Sequence, residues 1–134
     1  MSKQSRYTGG CLCGEVRYRI LGPLRDAVAC HCTQCRRMTG HYAAFAACGN
    51  ERLVIESGAR LAWYESSPGV RRGFCAGCGS TLFWDDASRP YIAVAAGSLD
   101  APTGIRLSAH SFTERMGDYY AIADGLPRYP GRMA

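Results

Sequence analysis

The amino-acid sequence predicts a mainly β domain, and three observations support that prediction. Residues 15–20 alternate polar and apolar side chains at every position, which is typical of a strand with one face in the core. Several other short apolar segments follow at the spacing of an all-β domain, with turn-forming residues between them. No segment shows the long 3.6-residue periodicity of an amphipathic helix.

Seven strands are predicted in chain order, each bounded by turn signals such as Gly22-Pro23 or Gly49-Asn50. They cover residues 15–20, 52–56, 60–64, 70–74, 81–84, 91–95 and 106–112. One short helix is predicted over residues 33–38, and Gly40 is expected to end it, since glycine readily adopts the left-handed conformation that follows a helix.

Length and composition predict one globular domain spanning residues 1–134, with 47% hydrophobic and 20% charged residues. The longest apolar stretch, residues 42–48, is far shorter than the ~20 residues of a membrane-spanning helix. Residues 1–6 lack the apolar core of a signal peptide. We therefore expect a cytoplasmic protein with no membrane partner.

The formal net charge of +5 comes almost wholly from arginine, and basic residues never run longer than two. A dedicated nucleic-acid surface usually shows a concentrated basic stripe. The charge pattern therefore predicts an ordinary solvated surface and makes nucleic acid an unfavoured partner.

The eight cysteines are the most informative feature of the sequence. Disulfides are rare in the reducing cytosol, so metal binding is the favoured interpretation over a disulfide framework. Seven of the eight fall into three clusters, in which C-x-C or C-x-x-C spacing brings sulfurs to the same side of the backbone. These clusters are Cys11-Leu12-Cys13, Cys30-His31-Cys32-Thr33-Gln34-Cys35 and Cys75-Ala76-Gly77-Cys78.

Two of the clusters together supply a four-thiolate site. Cys11 and Cys13 with Cys75 and Cys78 provide the two pairs that a tetrahedral structural zinc requires, and they close a loop over much of the chain. Gly14 and Gly79 follow these pairs, as expected where the backbone turns tightly around sulfur. The alternative is a set of buried thiols without metal.

The remaining cluster offers three thiolates within six residues, from Cys30, Cys32 and Cys35. Three protein ligands with an open fourth position are typical of a reactive zinc, at which water or a substrate atom can bind. The competing interpretation is that Cys48, His31 or His41 fills the fourth position and makes the site structural. Cys48 lies in an apolar segment that favours a core role, and His31, between two ligands, should point away from the metal.

These motifs identify a resemblance to a known family. The segments Gly10-Cys11-Leu12-Cys13-Gly14, Cys30-His31-Cys32-Thr33-Gln34-Cys35-Arg36 and Phe74-Cys75-Ala76-Gly77-Cys78-Gly79-Ser80 resemble the glutathione-dependent formaldehyde-activating enzymes and centromere protein V. The tail from Asp118 to Tyr129 is also similar, so the resemblance covers about residues 8–129. One departure is Tyr119, where many members carry tryptophan.

The resemblance implies a β-tent fold of several coiled antiparallel sheets built around two zinc sites. It also implies that Cys11, Cys13, Cys75 and Cys78 are structural ligands and that Cys30, Cys32 and Cys35 hold the catalytic metal. This division agrees with the one that the spacing of the cysteines predicts.

The family activity that the resemblance implies joins formaldehyde to the thiol of glutathione, giving S-hydroxymethylglutathione; the reverse reaction is that of a carbon–sulfur lyase. We therefore expect an enzyme whose partner is a small-molecule thiol, with glutathione as a possible co-substrate. Glutathione carries two carboxylates, which arginines beside the metal motifs could bind bidentately. The candidates are Arg36, Arg37, Arg71 and Arg72.

Two other functions stay open at this point. A non-catalytic zinc module that binds protein or nucleic acid is suggested by the centromere branch of the family name, although its expected basic stripe is absent from the sequence. Thiol redox chemistry or metal storage at Cys30, Cys32 and Cys35 is the other. The sequence leaves the oligomeric state open.

Overall fold

The computed structural model describes residues 5–133 and contains ten strands in two sheets. One α-helix and two single turns of 3-10 helix (Asn50–Arg52 and Ala96–Ser98) lie between strands, and a third such turn (Thr113–Arg115) follows the last strand. The strands are β1 (Ser5–Gly10), β2 (Arg17–Leu21), β3 (Arg25–Cys30), β4 (Ala43–Gly49), β5 (Leu53–Ser57), β6 (Leu61–Ser67), β7 (Val70–Cys75), β8 (Thr81–Asp86), β9 (Tyr91–Ala95) and β10 (Leu107–Ser111), and α1 covers Thr33–Thr39.

The smaller sheet has the order β1-β2-β5, and the larger has the order β10-β3-β4-β9-β8-β7-β6. Neighbouring strands are antiparallel except that β10 pairs parallel with β3. A parallel neighbour needs a crossover, and the long connection through residues 96–106 carries the chain from β9 to the far edge of the sheet. The larger sheet is therefore mixed, whereas the family resemblance implies antiparallel sheets.

The main core contains side chains from both sheets. Val16, Tyr18 and Ile20 alternate inward from the smaller sheet and are fully buried. The Tyr18 ring meets the Phe83 ring of β8 edge-on, with centroids 5.3 Å apart. Its hydroxyl lies 2.6 Å from Ser98 Oγ, and burial raises the pKa of Tyr18 to about 12. A buried tyrosine thus keeps a polar partner where the sheets meet.

The helix α1 is short and is capped at both ends. The Cys35 amide donates to the sulfur of Cys32, the N-cap residue, over 3.3 Å. At the other end Gly40 has φ +89° and donates its N–H to Arg36 O over 2.8 Å, which is the αL ending that the sequence predicts. Within residues 5–133 no helix has the length and apolarity needed to cross a membrane.

The mainly β prediction is confirmed, with strands in ten segments and a single α-helix among the described residues. All seven predicted strands are present with ends displaced by at most three residues, but β1, β3 and β4 are not among them. The proposed domain limits at residues 1 and 134, like part of the N-terminal segment 1–6, lie outside the described residues. One domain with a core at about 8–129 stays a prediction.

Candidate metal centres and substrate pocket

Four cysteine sulfurs converge between the β1–β2 and β7–β8 connections. The Sγ atoms of Cys11, Cys13, Cys75 and Cys78 all lie within 4.8 Å of one another. Cys13 Sγ is 3.5 Å from Cys11 Sγ and 3.8 Å from Cys75 Sγ, and all four cysteines are free of disulfides. A tetrahedron with metal–sulfur bonds of about 2.3 Å has sulfur–sulfur edges of about 3.8 Å. The donor set therefore fits one tetrahedral metal ion.

The backbone around this four-cysteine cluster is shaped to hold sulfur. Gly14 and Gly79 follow the two pairs with φ +83° and +81°, a conformation that side chains disfavour. The Val16 amide donates to Cys11 Sγ over 3.2 Å, and the Gly77 amide donates to Cys75 Sγ over 3.3 Å. Such N–H groups stabilise thiolates, so these turns suit charged sulfur.

The second group of sulfurs comes from one continuous segment. Cys30 ends β3, Cys32 caps α1 and Cys35 lies in its first turn, and their Sγ atoms also lie within 4.8 Å of one another. Hydrogen bonds from Cys30 and then from Cys35 lower the pKa of Cys32 to about 2. Three thiols this close share their protons unequally, and a divalent cation would allow all three to be thiolates. This three-cysteine cluster fits a metal with three protein ligands.

None of the three residues that could have closed the fourth position joins the three-cysteine cluster. Among residues 5–133, no fourth Cys, His, Asp or Glu forms part of the group. Cys48 is buried in the main core on β4 opposite Ile92, where burial raises its pKa to about 11. Both ring nitrogens of His31 are engaged by other side chains, and His41 is exposed beside Tyr42.

A buried arginine lies beside the three-cysteine cluster. The Nη1 and Nη2 atoms of Arg72 are 3.7 and 3.6 Å from Cys35 Sγ, and the residue is only 3% exposed. Its other contacts are to Gln34 Oε1 at 3.3 Å and Ser66 Oγ at 3.4 Å. Hydrogen bonds with Cys30 and then with Cys32 raise the pKa of Cys35, and the positive charge of Arg72 opposes that rise.

The three-cysteine cluster lies in the wall of a pocket of about 390 Å³. Its aromatic lining residues are Phe45, Trp84, Tyr91 and Phe112. The pocket lining has an excess of positive charge. Four arginines line it, and Asp86 is the one carboxylate among its lining residues. The arginines are Arg25, Arg72, Arg89 and Arg132.

Three of these four arginines were missed by sequence reasoning. Arg25 donates to Phe45 O over 2.9 Å, Arg89 pairs with Asp86 at 3.3 Å, and Arg132 is exposed near the end of the described chain. They come from β3, from the β8–β9 connection and from the C-terminal tail, well apart from one another in sequence. No local motif marks them, since only the folded sheet brings them together.

Of the four arginines predicted from sequence, the structure brings Arg72 to the pocket. Strand alternation turns its neighbour Arg71 to the other face of β7, where the guanidinium lies 3.8 Å from the Trp63 ring centre and pairs with Asp85 at 3.0 Å. Arg36 and Arg37 lie on α1, and neither lines the pocket.

The fold and these clusters define a class of protein, namely a mainly β protein with one four-cysteine and one three-cysteine cluster, each arranged so that it could hold a metal ion. The chain belongs to the family described as glutathione-dependent formaldehyde-activating enzyme, whose model matches residues 6–115. An enzyme is therefore the class to which it belongs. The family match ends before the tail that supplies Arg132.

Individual relatives agree with this membership. A Halomonas elongata protein with the provisional name glutathione-dependent formaldehyde-activating enzyme is 29% identical over 108 residues, covering 70% of this chain and 68% of that protein. An uncharacterized lyase of Schizosaccharomyces pombe is 31% identical over 88 residues, covering 63% of each. The crystal structure of a Rhodobacter sphaeroides protein matches with a TM-score of 0.61 and 27% identity, covering 72% of this chain and 91% of that one.

Proposed function

We propose that this protein is a zinc-dependent carbon–sulfur lyase that acts on the adduct of formaldehyde with an anionic, glutathione-like thiol. In this proposal each chain holds two zinc ions, one in the four-cysteine cluster and one in the three-cysteine cluster. The observation that carries the proposal is the position of the three-cysteine cluster in a pocket lined by arginine. Family membership supports the reaction class.

The charge of the pocket supports an anionic substrate. Its four guanidinium groups exceed its one carboxylate by three charges, and three thiolates holding a divalent ion would lower that excess to two. Glutathione with an ionised thiol has two carboxylates, one ammonium and one thiolate, which gives a net charge of −2. Substrate and pocket are then complementary in charge.

The lining residues divide into two roles. Arg25 and Arg89 are held by Phe45 O and Asp86, so their guanidinium groups are oriented before a substrate carboxylate arrives. The rings of Phe45, Trp84 and Tyr91 form an apolar wall that would cover the peptide part of the thiol and limit water.

Cys30, Cys32 and Cys35 would hold the zinc, which would lower the pKa of an incoming thiol so that thiolate is available near neutral pH. The residues of the chain position that sulfur: Cys30, Cys32 and Cys35 set the location, and Arg72 balances part of their charge. In the synthetic direction the thiolate forms a C–S bond with the aldehyde carbon, the C=O π pair moves to oxygen, and oxygen takes up a proton. The lyase direction reverses each of these changes.

The test is the rate of exchange between free formaldehyde and its glutathione adduct, measured by NMR exchange spectroscopy with the zinc-loaded protein. Because the adduct also forms without an enzyme, the uncatalysed exchange rate is subtracted. We expect the full-length protein to accelerate exchange and Cys32→Ser to abolish the acceleration while it retains one zinc per chain. If Cys32→Ser accelerates exchange as well as the unaltered protein, the three-cysteine cluster is not the reactive site.

A further inference from the structure

A chain of four hydrogen-bonded side chains lies against the segment that carries the three-cysteine cluster. The Tyr120 hydroxyl is 2.5 Å from His31 Nδ1, and His31 Nε2 is 2.9 Å from His110 Nδ1. His110 Nε2 is in turn 2.8 Å from Asp124 Oδ2. We call these four residues the histidine chain. It uses every ring nitrogen of both histidines, so neither ring can rotate without losing partners.

The histidine chain is connected directly to the cysteine segment. His31 lies between Cys30 and Cys32 and is fully buried, and His110 is 2% exposed on β10, the parallel neighbour of β3. The His31 amide also donates to Ser111 O over 3.0 Å. Backbone and ring of His31 are therefore both held by groups outside the cluster.

The order of donors and acceptors follows from the outer end of the chain. Hydrogen bonds from the Leu126 amide and then from His110 hold the pKa of Asp124 below its ordinary value, so its carboxylate can only accept. His110 must then donate from Nε2, and the tautomer that carries its proton on Nε2 accepts at Nδ1. His31 donates from Nε2 to His110, and its Nδ1 accepts from the Tyr120 hydroxyl. One carboxylate thus fixes the tautomer of both rings.

We propose that Asp124, acting through His110, is a positioning residue for the metal site at Cys30, Cys32 and Cys35. The carboxylate fixes the tautomer and orientation of His31, and His31 holds the main chain on which two of the three sulfurs are placed. Residues that orient ligands from outside the coordination sphere affect metal affinity by about 10-fold or more. This inference rests on the proposed function insofar as it requires a metal at these cysteines.

The segment that supplies Asp124 extends the inference to the C-terminal tail. Asp124 and Tyr120 lie in the tail that follows the family match at residues 6–115. Tyr120 and Asp124 approach from one short segment, so that the tail is attached to the cysteine segment at His31 and to β10 at His110. In this proposal the C-terminal tail helps to orient the cysteine segment of the metal site.

The experiment compares the unaltered chain with Asp124→Ala and with the matched control Asp118→Ala, an exposed carboxylate of the same segment. Zinc release to a chromogenic chelator is followed in time, and Cys32→Ser identifies which phase belongs to the three-cysteine cluster. We expect Asp124→Ala to accelerate that phase by about tenfold and Asp118→Ala to leave it unchanged. Tyr120→Phe, which removes only the hydroxyl, should accelerate the same phase by a smaller factor.

A second readout separates positioning from a general loss of stability. With only three histidines in the chain, ¹⁵N spectra of labelled protein can report the tautomer of each ring. We expect Nε2–H on His31 and His110 in the unaltered chain, and altered His31 nitrogen shifts in Asp124→Ala at unchanged thermal unfolding temperature.

The possible results distinguish a failure of this inference from a failure of the proposed function. Two zinc ions in the unaltered chain with the same release rate in Asp124→Ala would overturn this inference and leave the proposed function standing. A single zinc ion, with none at the three-cysteine cluster, would overturn both. Nitrogen shifts that stay the same in Asp124→Ala would show that the carboxylate does not set the tautomer, and the inference would fail on that result alone.

Discussion

The two cysteine clusters differ in how the fold assembles them. The four-cysteine cluster joins segments 62 residues apart, from Cys13 to Cys75, and connects the β1–β2 turn of the smaller sheet to the β7–β8 turn of the larger one. The three-cysteine cluster comes from six consecutive residues, with Cys30 at the end of β3 and Cys32 and Cys35 at the start of α1. The first links two layers of the fold, whereas the second only places sulfur at a pocket wall.

The surroundings of the two cysteine clusters also differ. Backbone amides donate to sulfur in both clusters, but Leu12, between Cys11 and Cys13 of the four-cysteine cluster, is 88% exposed. The three-cysteine cluster faces a pocket and has the guanidinium group of Arg72 beside Cys35. A metal with four protein ligands has no position left for substrate, whereas one with three does. Ligand number and environment together predict a stabilising role for the four-cysteine cluster and a chemical role for the three-cysteine cluster.

The largest expected effect concerns the link between the two sheets. Cys75→Ser removes one of four ligands, and the binding energy of a structural zinc is folding energy. We expect this variant to lose one zinc per chain and several kcal/mol of unfolding free energy, or to fail to fold. Urea unfolding with metal analysis checks this.

The matched variant is Cys32→Ser in the other cluster. It should also lose one zinc, yet change the free energy of unfolding much less, because the three-cysteine cluster comes from one continuous segment and does not link the two sheets. Equal destabilisation by both substitutions would remove the distinction between a structural and a reactive site.

The next prediction concerns Arg72 and Arg71, neighbours on opposite faces of β7. Arg72→Gln takes away the cation beside Cys35, and we expect kcat/KM for glutathione adduct formation to fall by about tenfold or more with two zinc ions retained. Arg71→Gln loses contacts to Asp85 and Trp63 on the far face and should leave kcat/KM unchanged. A similar loss in both variants would indicate a general effect on β7 and not a role at the cluster.

A smaller effect is expected at two other arginines of the pocket lining. Arg25→Ala and Arg89→Ala should each raise KM for glutathione about tenfold, since a hydrogen bond between charged groups contributes about 1.5–3 kcal/mol. A neutral thiol such as 2-mercaptoethanol has no carboxylate and should show no change in KM. Arg37→Ala, on α1 outside the pocket, serves as the control. If only Arg37→Ala raises KM, the carboxylates bind on the α1 side of the cluster.

How far the sequence allowed prediction depends on whether the signal was local. The strand Tyr91–Ala95 and the helix ending at Gly40 were predicted well, because periodicity and a capping glycine are local properties. The strand Ser5–Gly10 was missed, since glycine is uncommon in strands and this one is defined by its pairing with β2. The strands β3 and β4, both rich in alanine, were missed for a related reason.

The candidate site divides in the same way. The spacing of the cysteines along the chain is enough to predict both clusters, because each pair or triplet of ligands is set by local sequence. The pocket arginines Arg25, Arg89 and Arg132 have no shared motif and meet only through sheet order. Arg71 and Arg72 look equivalent in sequence, and only the alternation of side chains along β7 places them on opposite faces of the sheet. Ligand sets with fixed spacing can therefore be predicted, whereas pocket walls depend on tertiary structure.

The smallest expected effect concerns the remaining cysteine and decides whether the three-cysteine cluster is open. Cys48 packs in the main core opposite Ile92, with a thiol that burial keeps protonated by raising its pKa. Cys48→Ala removes one sulfur atom from the core, so we expect a loss of about 1 kcal/mol in unfolding free energy, two zinc ions per chain and an unchanged exchange rate. Metal analysis and the NMR exchange rate check this together. A drop to one zinc would mean that Cys48 reaches the cluster in solution, and both sites would then be closed, structural and alike.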